Sequence, residues 1–239
     1  METFCVWEHN GDDTLLYSVE FPGAYTRGAS FQEAADKMPS EILSFCRWAG
    51  FPVPESISIR VIQESSCQLA VADADSDVIF DSEKQPLTLD EYHEWKALAL
   101  KSARDFQALY ESIPDAKMPI SPSRCTFYGT VPSSAEEMYN HTKNVNSYYF
   151  GEIGVDVDNE GDIYICRLRG FEKLESMDGF LDNRILEGSY GEQWSLRKML
   201  RRFLWHDRIH AKAMYRRSCS VFPDLGIPNV FLFNYPRFP

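Results

Sequence analysis

The chain has 239 residues, 44% of them apolar and 25% charged, with a formal net charge of −12. That is the make-up of a soluble globular protein with room for one large domain or two small ones. No stretch approaches the roughly 18 consecutive apolar residues of a transmembrane helix, and the opening METFCVWEHNGDD has neither a basic nor an apolar targeting segment, so no membrane span or secretory signal is expected.

In chain order, TFCVWEH and TLLYSVEF are rich in branched and aromatic residues and are separated by the turn-forming NGDD, which predicts a β-hairpin. After FPGAYTRG, Ser30 and Glu33 have the spacing of a capping box and open a helix expected to reach Trp48, with Gly50 as its stop and a kink at Pro39. ISIRVIQE and CQLAVADADSDVIF read as two further strands, giving a small α+β unit over residues 1–86. The polar SEKQP connects it to residues 87–239. There Thr88 and Glu91 cap a helix through Tyr110, and Ser133 and Ser134 open a second across EEMYNHTKNVNSYYF. EIGVDVDNEGDIYICRL reads as a strand pair around an Asp-Asn-Glu-Gly turn. FEKLESMDGFLDNRI predicts a third helix and WSLRKMLRRFLWHDRIHAKAMYRR a fourth. The proline-rich tail FPDLGIPNVFLFNYPRFP is expected to lie extended over the resulting bundle.

Charge is unevenly spread. Residues 1–86 hold 5 Lys/Arg against 15 Asp/Glu, leaving 19 against 21 for the rest. The acidic first part would repel phosphate backbones, so nucleic acid is not expected as a partner. On the fourth helix, Lys198, Arg201, Arg208, Lys212 and Arg216 share one side, read as a face turned to solvent or to another domain. Docking of that face on the acidic part, within one chain or across a homodimer, follows as an expectation. The six cysteines (5, 46, 67, 125, 166 and 219) are scattered without a C-x-x-C pair, which suggests reduced thiols and a cytoplasmic protein.

At about 100° per residue, His210 lies about 40° from His206 around the fourth helix. Met199, Phe203, Ala213 and Met214 fall on the same side, so both imidazoles sit in an apolar stripe facing the core. Arg202 shares that face one turn earlier. His141 lies on a second core stripe with Met138, Val145 and Tyr148. A buried imidazole needs partners for its nitrogens, and one divalent cation satisfies several at once. The alternative is a set of structural histidines hydrogen-bonded within the core. His93 reads as a structural or surface residue and His9 as a strand-end surface residue.

EEMYNHTKNVNSYYF and SLRKMLRRFLWHDRIHAKAM resemble the histidine-bearing second helix and the H-x-x-x-H fourth helix of the DinB-like family, four-helix bundles that hold a metal with three histidines. The resemblance spans roughly residues 87–217. It implies a divalent metal, zinc or nickel, on His141, His206 and His210, a small-molecule substrate, and a thiol-dependent transferase or hydrolase activity. Arg202 would position an anionic substrate. The hairpin expected after the second helix departs from the family pattern. YSVEFPGAYTRGASFQEAADKM resembles the HicB-like antitoxin domain, a partial RNase H-type α/β sandwich. No DNA-binding domain follows, so a toxin-blocking role is not implied. The alternative to an enzyme is a binding or regulatory protein with a structural metal and a HicB-like domain that engages a partner protein.

Two acidic motifs fall short of a calcium loop. Asp73, Asp75 and Asp77 are followed by Val78 and Lys84 where glycine and glutamate belong, and read as a solvated patch. DVDNEGDIY has Gly161 in place, but Arg167 stands where the bidentate glutamate would be.

Overall fold

The computed structural model describes residues 1–71, 75–122, 124–126 and 129–234. The chain forms two compact units. The first holds residues 1–80 together with the C-terminal residues from 231; the second takes up most of residues 81–230.

The first unit is a four-stranded mixed sheet with one helix. β1 (Glu2–Asn10) and β2 (Asp13–Ser18) form the expected antiparallel hairpin, closed at Asn10 opposite Asp13. Gly11 supplies the left-handed backbone of the turn, with φ of 60°. β3 (Tyr25–Gly28) is a short edge strand within a segment to which the sequence reading assigns no element. α1 (Phe31–Ala49) begins at Ser30, whose side chain accepts the Glu33 N–H, and ends at Gly50 in the left-handed region. Its buried residues Ala34, Met38, Ile42 and Phe45 recur every three or four positions, which makes one apolar face. α1 packs on the sheet and carries the chain across to β4 (Ser58–Ser66), which runs parallel to β1. The order is β3-β2-β1-β4. The second strand expected in this region is absent: residues 67–71 and 75–80 form no strand, and residues 72–74 lie outside the described set.

The described end of the tail, residues 231–234, belongs to this unit, while residues 222–230 group with the second. The Phe231 ring stacks on Trp48 at 5.4 Å and Phe233 stacks on Phe231 at 5.4 Å. The Ser44 hydroxyl donates to the Leu232 carbonyl at 2.9 Å, and the Asn234 amide donates to the Ser40 carbonyl at 2.9 Å.

The second unit contains α2 (Leu89–Glu111), α3 (Ala135–Gly151), α4 (Ile163–Glu175) and α5 (Leu196–Val221). Thr88 and Ser134 form complete capping boxes with Glu91 and Glu137. α4 corrects the sequence reading. The predicted strand pair is absent: Gly161, at φ 92°, makes the expected turn, but Asp162 then accepts the Ile165 N–H and starts a helix. The predicted third helix is therefore shifted towards the N-terminus, and beyond it only a short 3-10 turn, Phe180–Asp182, remains. No inserted hairpin separates the helices at this point. α2 and α3 each pack on both α4 and α5.

The basic side of α5 also differs from expectation, because Lys198, Arg201 and Arg208 are almost fully buried. Lys198 pairs with Glu192 at 2.9 Å, and Arg201 pairs with Glu83. Arg167, from α4, spans the bundle to make two hydrogen bonds with Asp207, at 2.6 and 3.1 Å, with neither side chain exposed. The helical wheel had grouped these residues correctly. The counter-charge of Arg201 lies 118 residues away in the chain, so a wheel could not show that this part of the face is internal.

Where α4 meets α3, a methyl group on Gly170 would run into the ring of Phe150. Gly170→Ala should therefore cost about 1–3 kcal/mol in urea unfolding through overpacking. Gly151→Ala, where a methyl group meets no atom within 4 Å, should gain up to about 1 kcal/mol from the lower entropy of the unfolded chain. Equal effects of the two changes would contradict this packing.

Candidate metal centre

α3 and α5 are neighbours in the bundle and present the three histidines to one another. His141 lies in the second turn of α3, behind the Ser134 cap. His206 and His210 are one turn apart in the middle of α5. Their ring centroids are 5.0 Å (141–206), 4.7 Å (141–210) and 4.5 Å (206–210) apart. One ligand nitrogen from each ring lies within 4.8 Å of the other two. The Nε2 atoms of His141 and His206 are 3.2 Å apart. A tetrahedral ion with metal–nitrogen bonds of about 2.0–2.1 Å places two ligand nitrogens about 3.3–3.4 Å apart, so this pair fits such an ion with almost no movement.

The surroundings keep the imidazoles neutral, the form in which they ligate metals. Burial lowers the pKa of His141 below its ordinary value. Burial also lowers His206 well below its ordinary value, helped by the neighbouring His210 and His141 and by the positive charges of Arg202 and Arg167. His210 is lowered to about 3 by burial and then by His141. The Nδ1 of His206 is buried and has no hydrogen-bond partner among the described residues, so satisfied structural hydrogen bonding does not account for this ring. The cluster contains no carboxylate, and a divalent ion there would keep its full charge.

Arg202 lies beside this cluster and is 5% exposed. Its guanidinium sits 4.6 Å from the Trp205 ring centre and 5.6 Å from those of Tyr149 and Trp194. The edge-on contact between Tyr149 and His206, at 5.9 Å, links this aromatic enclosure to the histidines. Arg167 and Asp207, which the sequence reading did not assign to the site, fix the turn of α5 that carries His206. The only sequence signal for Arg167 was a charged residue on the apolar side of an unrecognised helix.

The remaining candidates stand apart. His93 is exposed on α2, and His9 on β1 contacts Glu64 at 3.1 Å. Of the acidic run, Asp73 lies outside the described residues, Asp75 is buried and Asp77 is exposed, so the patch is not uniformly solvated. Glu8, Cys67 and Asp77 also bring ligand-type atoms together. Both oxygens of Glu8 are already engaged, however: Oε1 by the N–H groups of Asp77 and Val78, and Oε2 by the Tyr17 hydroxyl. Burial pushes the Cys67 thiol up to about 11, away from the thiolate that a metal requires. No helix among the described residues is long and apolar enough to cross a membrane.

No family model, curated protein or solved structure matches this chain.

The lowered histidine pKa values make the metal-free protein acid-sensitive. The unfolded chain takes up protons near pH 6.5 while the folded one resists, so stability is complete above that pH and falls below it. For His210 the loss continues down to about pH 3 and amounts to about 2 kcal/mol at pH 5. Urea midpoints of chelator-treated protein should fall between pH 7.5 and 5, and His210→Gln should flatten the slope. An unchanged slope in that variant would contradict the burial of a neutral imidazole.

Proposed function

We propose that the chain binds one divalent cation of the zinc or nickel class through His141, His206 and His210, and acts on a small molecule beside it. The observation that carries this reading is the convergence of three neutral imidazoles from two packed helices at ligand spacing, without a carboxylate to complete the set. With three protein ligands, coordination positions stay open to water or substrate, as in catalytic centres and unlike closed structural ones. When bound, the ion would supply Lewis acidity and lower the pKa of a water or a substrate thiol.

The protein's own residues supply the rest. His141 and His210 are half-buried and form the approach, while His206 forms the sealed floor. Arg202 adds a positive charge that favours an anionic substrate. Enclosed by three rings, it acts through its field and not as an exposed fork. A transferase using a small thiol, or a hydrolase, is the reaction class consistent with this arrangement and with the DinB-like resemblance of the helices.

A second reading is a regulatory protein with a structural metal, in which the first unit binds a partner protein. It is favoured by β4, an edge strand of nine residues with none buried, the kind of edge to which another chain adds a strand.

Elemental analysis of untagged protein should find about one divalent ion per chain. Alanine at His141, His206 or His210 should remove most of it, while His93→Ala should not. Full retention in His141→Ala would overturn the three-histidine site. In cobalt-substituted protein, a small thiol should shift the visible spectrum, and Arg202→Ala should weaken that response without releasing the metal. An unresponsive spectrum would favour the structural reading.

A further inference from the structure

Four acidic side chains among the described residues of the second unit are almost fully buried: Glu83, Glu152, Glu192 and Asp207. Three are paired with a cation: Glu83 with Arg201, Glu192 with Lys198, and Asp207 with Arg167. Glu152, 7% exposed at the end of α3, has none. Its Oε2 accepts the Ser189 N–H at 2.7 Å, while Oε1 has no partner among the described residues. Oε2 is satisfied by that hydrogen bond, and Oε1 is left open to a donor from outside the chain.

Glu152 lines a cavity of about 570 Å³ between the end of α3 and the loop that begins at Leu186. The loop is a fixed wall. Leu186 pairs with Trp194 and Glu187 with Gln193, and the Gly188 N–H donates to the Glu192 carbonyl at 2.8 Å. Gly188 lies so close to Glu152 and Trp194 that any side chain there would collide with both. At the tip, Tyr190 holds a left-handed conformation with φ of 63°, an uncommon backbone for tyrosine. The charged residues lining the cavity are Glu152 and Glu187, both acidic; no Lys, Arg or His lines it. Tyr148 and Leu186 supply apolar wall. Burial raises the Tyr148 phenol, Glu192 and Glu152 add to that effect, and the Arg202 charge opposes it.

We propose that this cavity binds a small organic cation of the primary alkylammonium class. The Glu152 carboxylate would take the ammonium, Glu187 would reinforce it from the rim, and the carbon chain would lie against Tyr148 and Leu186. An ammonium group fits better than a hard metal ion, which wants six or more oxygen ligands. An aromatic wall beside a carboxylate also suits an organic cation. The site is separate from the histidines: along α3, Glu152 lies about 16 Å from His141 at 1.5 Å per residue. It therefore does not depend on the metal reading.

The test is calorimetric titration of the full-length protein with n-butylammonium, with n-butanol as the neutral counterpart, and with magnesium and calcium. Saturable binding of butylammonium and none of butanol is expected. Glu152→Gln keeps an acceptor for the Ser189 N–H and removes the charge, so it should weaken binding at least tenfold with an unchanged melting temperature. Leu186→Lys, at a partly exposed rim position, should tether an ammonium over the cavity and abolish binding of the free amine. If Glu152→Gln fails to fold, the Leu186→Lys result decides. The proposal is overturned by no binding at millimolar amine, by equal binding of butanol, by binding of the divalent ions alone, or by unchanged affinity in either folded variant.

Discussion

The two hydrogen bonds between Arg167 and Asp207 organise the second unit. The guanidinium belongs to α4, the carboxylate to α5, and a further N–H of Arg167 reaches the Ala99 carbonyl of α2 at 3.0 Å. Its flat face lies 4.2 Å from the Phe203 ring centre. One side chain thus ties three helices together at the bundle centre, where no water competes. Removing one partner of such a pair costs about 3–5 kcal/mol, because the other is left charged and dry. Asp207 directly follows His206 in the chain, so the pair also fixes the rotation of α5 that aims His206 and His210 at His141.

The chemistry of the histidine cluster follows from that packing. Burial strips the imidazoles of solvent, and nearby arginine charge further disfavours imidazolium. Both effects favour neutral nitrogens with free lone pairs, and those of His141 and His206 lie within a few tenths of an ångström of the spacing a tetrahedral ion needs. The same positive surroundings disfavour a bare cation, so a metal and an anionic ligand would stabilise each other in this site. The substrate charge inferred for the site is thus a property of the whole bundle core.

The candidate site was the most legible part of the sequence. His141, His206 and His210 each fell on an apolar stripe, and helical periodicity alone placed them on inward faces. Caps were equally readable at Ser30, Thr88 and Ser134, where a short polar side chain precedes a glutamate at the right spacing. α4 was missed because Ile163, Tyr164 and Ile165 favour strands locally, and only the cap at Asp162 signals the helix. Burial of Arg201 and Lys198 was illegible for a different reason. A charged residue is assigned to the surface unless its counter-ion is known: Glu83 reaches Arg201 across 118 residues of chain, and Glu192 reaches Lys198 only through the turn that precedes α5. β3 was too short for a periodicity argument, and the parallel pairing of β1 with β4 is a property of topology that neither strand carries by itself.

The return of the tail to α1 has a consequence for biosynthesis. Ser44 and Leu232 are joined by a hydrogen bond across 188 residues of chain, and Phe231 stacks on the Trp48 ring. A ribosome delivers the sheet and α1 before the helices of the second unit, and the aromatic cover at Phe231 only after them. Domains usually fold in order of emergence, but here the sheet unit is completed only after the second unit has been made. Until residue 231 has emerged, Trp48 lacks the ring that stacks on it in the folded unit.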